Sequence, residues 1–140
     1  MDNLPHDKPE NEVFLQIPML PNMELAATET AHRIAEFMQF DPNKIDEIKI
    51  SLIEGILNAF EHSQSKDKMV YIKFLMRDDE LEVTIQDYGI GFSISNVNTK
   101  IEPLQYRGYG LTLISNLMDR VDVTSGPDGT KVVMSKRRHS

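Results

Sequence analysis

Two neighbouring segments with two-residue alternation constrain the fold of this chain most tightly. The first runs from Lys68 to Arg77 and the second from Glu80 to Asp87, with only Asp78-Asp79 between them. Apolar residues alternate with polar residues through most of both segments, so each has one apolar face. The pattern predicts two β-strands joined by a short turn, which favours a sheet covered on one face.

Helical periodicity in three other segments predicts the covering layer. A first helix follows Pro21-Asn22, with apolar residues mostly at three- and four-residue steps. Asp41-Pro42 offers an N-cap with proline at the first helical position, and the second helix continues to about His62. A third helix is marked by apolar residues between Leu111 and Met118.

Three further strands complete the predicted fold. One covers Val13 to Ile17, and a final hairpin pairs Val121 to Thr124 with Thr130 to Ser135. The order β-α-α-β-β-α-β-β predicts an α/β (α+β) two-layer sandwich, a mixed sheet of about five strands with three helices on one face.

The length of 140 residues predicts one domain, which we place at residues 11–136. Residues 1–10 are polar and are expected to be disordered, and residues 137–140 to form a tail. The basic cluster Lys136 to His139 is interpreted as solvated. A net charge of -7 disfavours a nucleic-acid surface, and no apolar run reaches the ~18 residues of a membrane span. Without cysteine or a leading apolar segment, a cytoplasmic protein is expected.

Two polar residues of the second helix are candidates for chemistry. A helical projection places Glu54 and Asn58 nearly opposite the apolar arc and one turn apart. An amide oxygen is a hard ligand for Mg²⁺, and a carboxylate can take a proton from an attacking hydroxyl. The alternative is that both simply form the wet side of an amphipathic helix.

Asp87 shares the strand parity of Leu81, Val83 and Ile85, so its carboxylate is predicted to face the helices, where it needs a partner. The exocyclic amine of adenine is a suitable donor, and Gly89 and Gly91 would allow a flat base to approach the backbone. The alternative is a turn that merely ends the strand.

A long loop at residues 88–107 lacks sustained periodicity, as is typical of lids and binding loops. Gly108-Tyr109-Gly110 follows it at the start of the third helix, where free backbone N–H groups favour an anion. Arg107 could meet a phosphate there. Tight packing of the glycines and a surface arginine are the alternatives.

Four short motifs occur in one order along the chain. They are Glu54-x-x-x-Asn58-Ala59-x-x-His62, Asp87-x-Gly89-x-Gly91, Gly108-x-Gly110-Leu111 and Gly129-Thr130. Together they resemble the four boxes of the GHKL, or Bergerat-fold, ATPases over about residues 13–135. The glutamate, the chain length and the run Leu117-Met118-Asp119-Arg120-Val121 are most similar to the stand-alone anti-sigma-factor serine/threonine-protein kinases of bacterial partner-switching systems.

The resemblance implies a role for each matching residue. Glu54 would be the general base, Asn58 a ligand to Mg²⁺, and Asp87 the group that binds the adenine amine. Gly89 and Gly91 would contact the base, and Thr130 would lie near adenine through water. Gly108 and Gly110, with Leu111 of the same box, would lie at the phosphates. Arg107 is a further candidate, although some relatives place their arginine one position earlier.

The resemblance also implies a function and partners. The protein would be a Mg²⁺-ATP-dependent serine kinase that phosphorylates an anti-anti-sigma protein and sequesters a sigma factor. The alternatives are a non-catalytic ATP-binding partner-switch module and a detached histidine-kinase catalytic domain, and Glu54 disfavours both. The sequence leaves open whether the chain forms a homodimer.

Overall fold

The computed structural model describes residues 11–89 and 109–139, and within them the elements follow the predicted order. The predicted disordered segment 1–10, residues 90–107 of the predicted loop and Gly108 lie outside this part. The elements are β1 (Asn11–Pro18), α1 (Glu24–Phe37), α2 (Pro42–His62), β2 (Met69–Met76), β3 (Glu80–Asp87), α3 (Tyr109–Leu117), β4 (Arg120–Gly126) and β5 (Gly129–Arg137).

The central helix α2 begins as its sequence predicts. The Asp41 side chain accepts a hydrogen bond from the Lys44 backbone N–H at 3.0 Å, and Pro42 occupies the first turn. Such a cap satisfies one of the backbone donors that a helix start leaves unpaired. The helix continues to His62, which is the predicted end.

The sheet has the strand order β1-β2-β3-β5-β4, and every pairing in the described residues is antiparallel. The prediction of a mixed sheet was therefore wrong. The reason is that β5 returns from its hairpin with β4 and inserts between β3 and β4, which separates the two strands that would have paired in parallel. This insertion places Thr130 directly opposite Asp87.

All three helices cover one face of the sheet, with α2 in the middle and both α1 and α3 packed against it. Apolar residues from α2 and from the helix-facing positions of the strands form the core between the layers. Its largest fully buried side chains include Ile48, Leu52, Ile56, Phe74, Ile72, Leu81, Leu111, Ile114 and Met134. None of the helices in the described residues combines the length and apolarity needed to cross a bilayer.

Two residues of the basic cluster, Lys136 and Arg138, dock onto the helices, so the prediction of a solvated cluster was wrong for them, whereas Arg137 and His139 are exposed. Lys136 is buried, forms an ion pair with Glu47 of α2 at 2.7 Å and donates to the Leu117 carbonyl of α3. Arg138 donates to the Met38 carbonyl after α1 at 3.0 Å. Helix C-termini leave carbonyl groups unpaired, and these cations satisfy two of them.

Candidate functional site

Asp87 ends β3 with its carboxylate inside the protein. The side chain lies on the helix-covered face, as its strand parity predicts, and only 2% of the residue is exposed. The Ser63 hydroxyl and the Gly89 backbone N–H each donate to Oδ1 at 3.0 Å. A buried carboxylate requires such donors. No residue in 11–89 or 109–139 donates to Oδ2.

A pair of hydroxyl groups lies beside Asp87. Thr130 is 4% exposed and faces Asp87 across the β3–β5 pairing. Its Oγ1 lies 2.8 Å from Oγ of Ser125 on β4. A carboxylate accepts hydrogen bonds, and a hydroxyl both donates and accepts them. This corner therefore suits a heterocycle that presents an amine beside a ring nitrogen.

Two glycines allow backbone segments to meet around Asp87. A Cβ at Gly89 would collide with the Ser63 hydroxyl and lie 2.8 Å from the Gln64 backbone nitrogen. Gly129 has a φ of +126°, and a Cβ there would overlap the Asp87 carbonyl oxygen. The close approach at Gly89 is with the segment after α2, so the predicted role of Gly89 toward a base stays a prediction.

α2 places Glu54 next to this corner of the sheet. Gly55 packs directly on β3, since a Cβ at Gly55 would overlap Cδ1 of Ile85, two residues before Asp87. Glu54 is half-buried and forms no hydrogen bond or ion pair with residues 11–89 or 109–139. A carboxylate without such partners is available to accept a proton.

Asn58 is buried, whereas the helical projection placed it on a face away from the core. Its exposed fraction is 6%. The projection was wrong for Asn58 because it considers one helix alone and does not include the parts of the chain that pack against it. The amide chemistry that made Asn58 a candidate ligand is unchanged by this burial.

Two tyrosines line a cavity on the sheet face opposite the helices, and an aspartate bonds one of them. The Tyr71 hydroxyl donates to Asp67 at 2.7 Å, and the Tyr71 and Tyr88 rings meet edge to face with centroids 5.2 Å apart. This hydrogen bond lowers the pKa of the Asp67 carboxyl and raises the pKa of the Tyr71 phenol. Asp67, Tyr88 and Gly89 line one open cavity of about 390 Å³.

One predicted base contact, Gly91, and two predicted phosphate contacts, Arg107 and Gly108, fall outside the described part of the chain. Gly91, Arg107 and Gly108 belong to residues 90–108. Gly110 lies in the first turn of α3, and Leu111 is buried in the apolar core. The roles of these residues toward a ligand stay predictions.

Two residues of the site were missed by sequence reasoning. They are Ser63, which donates to Asp87, and Ser125, which bonds Thr130. Each is a single hydroxyl at the end of an element, where no periodic pattern marks it. Asp87 is the one carboxylate that the sequence predicts to be buried. Only a search for hydroxyl donors to Asp87 could have suggested these two serines.

The fold and the buried carboxylate are those of a nucleotide-binding domain, and sequence comparison specifies the family. Residues 18–136 match the family model of the histidine kinase-like ATPase domain. The chain belongs to this family, which confirms the predicted one.

Individual relatives show the same relationship. The chain is 37% identical to an anti-sigma F factor of Oceanobacillus iheyensis over 117 residues, which is 74% of this chain and 79% of that protein. It is 30% identical to the serine-protein kinase RsbW of Listeria monocytogenes over 142 residues, which is 94% of this chain and 87% of the relative.

Solved structures share the fold. The RsbU and RsbW domains of a Mycobacterium tuberculosis protein superpose with a TM-score of 0.71 at 17% identity, covering 92% of this chain. This chain spans only 33% of that longer chain. The SiaB–SiaC complex of Pseudomonas aeruginosa gives a TM-score of 0.57 at 12% identity, with 89% of both chains covered.

Proposed function

We propose that this protein is an ATP-dependent serine kinase that also acts as an anti-sigma factor. It transfers phosphate from Mg²⁺-ATP to a serine of an anti-anti-sigma protein, and it sequesters a sigma factor when that protein is unavailable. The relatives named anti-sigma F factor and serine-protein kinase support the two halves of this proposal. In this chain the supporting observation is the buried, oriented carboxylate of Asp87 beside the helix that bears Glu54.

Asp87 is the proposed adenine-binding residue. Because both donors found in residues 11–89 and 109–139 bond Oδ1, Oδ2 is left to accept a hydrogen bond from the N6 amine of adenine. Guanine presents a carbonyl oxygen at the equivalent position, and a carboxylate cannot bond it. The Thr130 hydroxyl, opposite Asp87, can hold a water against the ring nitrogen next to the amine.

Asn58 is the proposed protein ligand to Mg²⁺. Magnesium in such sites takes one or two protein ligands and completes its octahedron with phosphate oxygens and water. The donor set fits that pattern, because the described residues contain no cluster of three His, Asp or Glu. When bound, the ion would offset the negative charge of the phosphate oxygens.

The start of α3 is the proposed phosphate-binding element. Gly108 and Gly110 would present backbone N–H groups, which a helix N-terminus leaves without intrahelical partners. Arg107 adjoins them and would contribute a positive charge. Leu111, packed in the core, would hold this first turn in place.

Glu54 is the proposed general base. The serine hydroxyl of the substrate gives its proton to Glu54 while its oxygen forms a bond to the γ-phosphorus. The bond from that phosphorus to the bridging oxygen breaks, and ADP leaves with the electron pair. Phosphoryl transfer depends mainly on positioning and charge stabilisation, so the base contributes to turnover more than to binding.

The test replaces Glu54 with glutamine, which retains size and hydrogen bonding but not basicity. Phosphotransfer to an anti-anti-sigma protein should fall by ~10²-fold or more, while ATP affinity stays nearly unchanged. Glu61→Gln is the matched control, because Glu61 is exposed on the same helix. Radiolabelled phosphate in the acceptor protein measures the transfer, and calorimetry measures the affinity.

Two outcomes would contradict this assignment. If Glu54→Gln transfers phosphate at the parental rate, another group is the base. If the parent protein transfers no phosphate to any serine acceptor but still binds ATP, the non-catalytic module is the better description. Transfer to a histidine of a separate protein would instead indicate a detached histidine-kinase catalytic domain.

A further inference from the structure

The hydroxyl of Ser63 makes two hydrogen bonds that play no part in capping α2. Ser63 follows α2, and its backbone N–H already caps that helix by donating to the Ala59 carbonyl. Its Oγ donates to Asp87 Oδ1 at 3.0 Å and accepts from the Ser65 backbone N–H at 3.2 Å. The side chain therefore links the segment after α2 to the end of β3.

This link determines how the Asp87 carboxylate is presented. The Ser63 hydroxyl and the Gly89 N–H reach Oδ1 from two different chain segments, so rotation of the carboxylate would break at least one bond. A half-turn only exchanges two equivalent oxygens and restores both bonds. The two donors thus fix the plane of the carboxylate and leave one oxygen, Oδ2 in this structure, for a ligand.

The packing around Gly89 supports the same conclusion. A Cβ on Gly89 would overlap the Ser63 hydroxyl and approach the backbone nitrogens of Gln64 and Ser65. The residues after α2 and the residues after β3 are therefore in direct contact at the hydroxyl. The Ser63 hydroxyl therefore lies between two backbone segments that pack closely together.

We propose that Ser63 is a positioning residue that holds Asp87 Oδ2 toward the exocyclic amine of an adenine nucleotide. This inference rests on the proposed function of Asp87. It predicts that Ser63 determines selectivity for purines with an amine at position 6, although its own hydroxyl contacts no nucleotide. A purely structural Ser63 would affect all nucleotides equally.

The test compares Ser63→Ala with the parent protein on two nucleotides, ATP and the analogue in which hydrogen replaces the N6 amine. Ser63→Ala should lose about tenfold in ATP affinity and change little toward the amine-free analogue, because only ATP uses the oriented oxygen. In the kinase assay KM for ATP should rise by a similar factor while kcat is retained. Ser63→Thr, which keeps a hydroxyl, should restore most of the ATP affinity.

Two controls separate this effect from a loss of folding. Ser115→Ala removes an exposed hydroxyl on α3 and should leave both affinities unchanged. Thermal unfolding of Ser63→Ala reports whether the fold is intact. Equal losses for ATP and the amine-free analogue, or no loss for either, would overturn the positioning role.

Asp87→Asn distinguishes failure of this inference from failure of the proposed function. If Asp87→Asn weakens ATP binding and Ser63→Ala does not, the adenine pocket stands and only the role of Ser63 is rejected. If neither substitution weakens ATP binding, the adenine pocket itself is misplaced.

Discussion

Gly129 is the residue at which the β4–β5 turn comes closest to β3. Its φ of +126° is one that L side chains rarely adopt, and a Cβ would overlap the Asp87 carbonyl oxygen. Gly129→Ala should therefore destabilise the protein by about 2–4 kcal/mol, combining backbone strain with a displaced strand end. Urea denaturation followed by circular dichroism measures this change in the free energy of unfolding.

Gly126, across the same two-residue turn, provides the control. A Cβ there meets nothing within 4 Å, so Gly126→Ala should change stability by less than about 1 kcal/mol. Because the Asp87 carbonyl belongs to the proposed adenine-binding residue, Gly129→Ala should also weaken ATP binding. Equal effects of the two substitutions would show that the Gly129 contact is not important.

The hydrogen bond between Tyr71 and Asp67 predicts a pH dependence of stability on the sheet face opposite the helices. It raises the pKa of the Tyr71 phenol and lowers the pKa of the Asp67 carboxyl. The bond should therefore stabilise the folded state at intermediate pH. It is lost as pH rises through the raised pKa of Tyr71, or as pH falls through the lowered pKa of Asp67.

Ring-carbon NMR of the tyrosines measures the first of these titrations. In the parent protein Tyr71 should titrate above the ordinary phenol value of about 10, and Asp67→Asn should return it toward that value. Asp78→Asn, an exposed aspartate in the β2–β3 turn, should leave Tyr71 unchanged. A Tyr71 titration that is identical in the parent and in Asp67→Asn would contradict the role of this bond.

At the scale of elements, Lys136 joins β5 to α2 and α3. Its ammonium group is paired with Glu47 and also bonds the Leu117 carbonyl. Lys136→Met should destabilise the protein by about 2–4 kcal/mol, because a partly buried carboxylate and a helix-end carbonyl both lose their partner. Denaturant titration provides the measurement.

Two matched controls accompany Lys136→Met. One substitutes another lysine of the same strand, and the other also substitutes Glu47, the ion-pair partner of Lys136. Lys131→Met changes an exposed lysine of β5 and should cost less than about 0.5 kcal/mol. Adding Glu47→Met to Lys136→Met should recover part of the loss, since no unpaired charge then remains. If the double variant is as unstable as the single one, the ion pair is not the cause.

The elements were predictable from local signals, and their arrangement was only partly so. The Asp41 cap and the alternation that ends at Asp87 depend on neighbouring residues, and both predictions are confirmed. The insertion of β5 between β3 and β4 depends on contacts distant in sequence, so the sheet was wrongly expected to be mixed. The burial of Asn58 depends on parts of the chain outside α2, which a projection of one helix cannot include.

The same distinction applies to the candidate site. The alternation of apolar and polar residues identified Asp87 as helix-facing, because that alternation lies entirely within β3. Its hydrogen-bond donor Ser63 comes from a helix end and its cross-strand neighbour Thr130 from another strand, and only Thr130 was selected, through the family resemblance. Hydrogen-bond partners that are far apart in sequence leave no periodic pattern, which is why Ser63 was missed.

At the scale of the whole molecule, nucleotide binding should be visible as added stability. A ligand that binds only the folded state at 100 times its Kd adds about 2.7 kcal/mol to the free energy of unfolding. ATP should raise the Tm, and Mg²⁺ should raise it further if Asn58 holds the ion against the phosphates. Thermal unfolding with ATP, with and without Mg²⁺, separates the two contributions.

Asn58→Ala tests whether Asn58 is responsible for the Mg²⁺-dependent part of the Tm increase. It should reduce the Mg²⁺-dependent part of the Tm increase more than the part seen with ATP and chelator. The intrinsic cost of removing a buried amide is measured without nucleotide and subtracted. If both parts fall equally, Asn58 has a structural role only.

The position of β5 has a consequence for how the protein is made. Ribosomes add about 5–20 residues per second, so β3 leaves the exit tunnel several seconds before residues 129–137 can join it. During that interval the nascent chain exposes an unpaired strand edge next to Asp87, of the kind that chaperones shield from aggregation. Nucleotide present in the cell cannot assist earlier folding, because Thr130 and the strand that completes the sheet are translated last among the described elements.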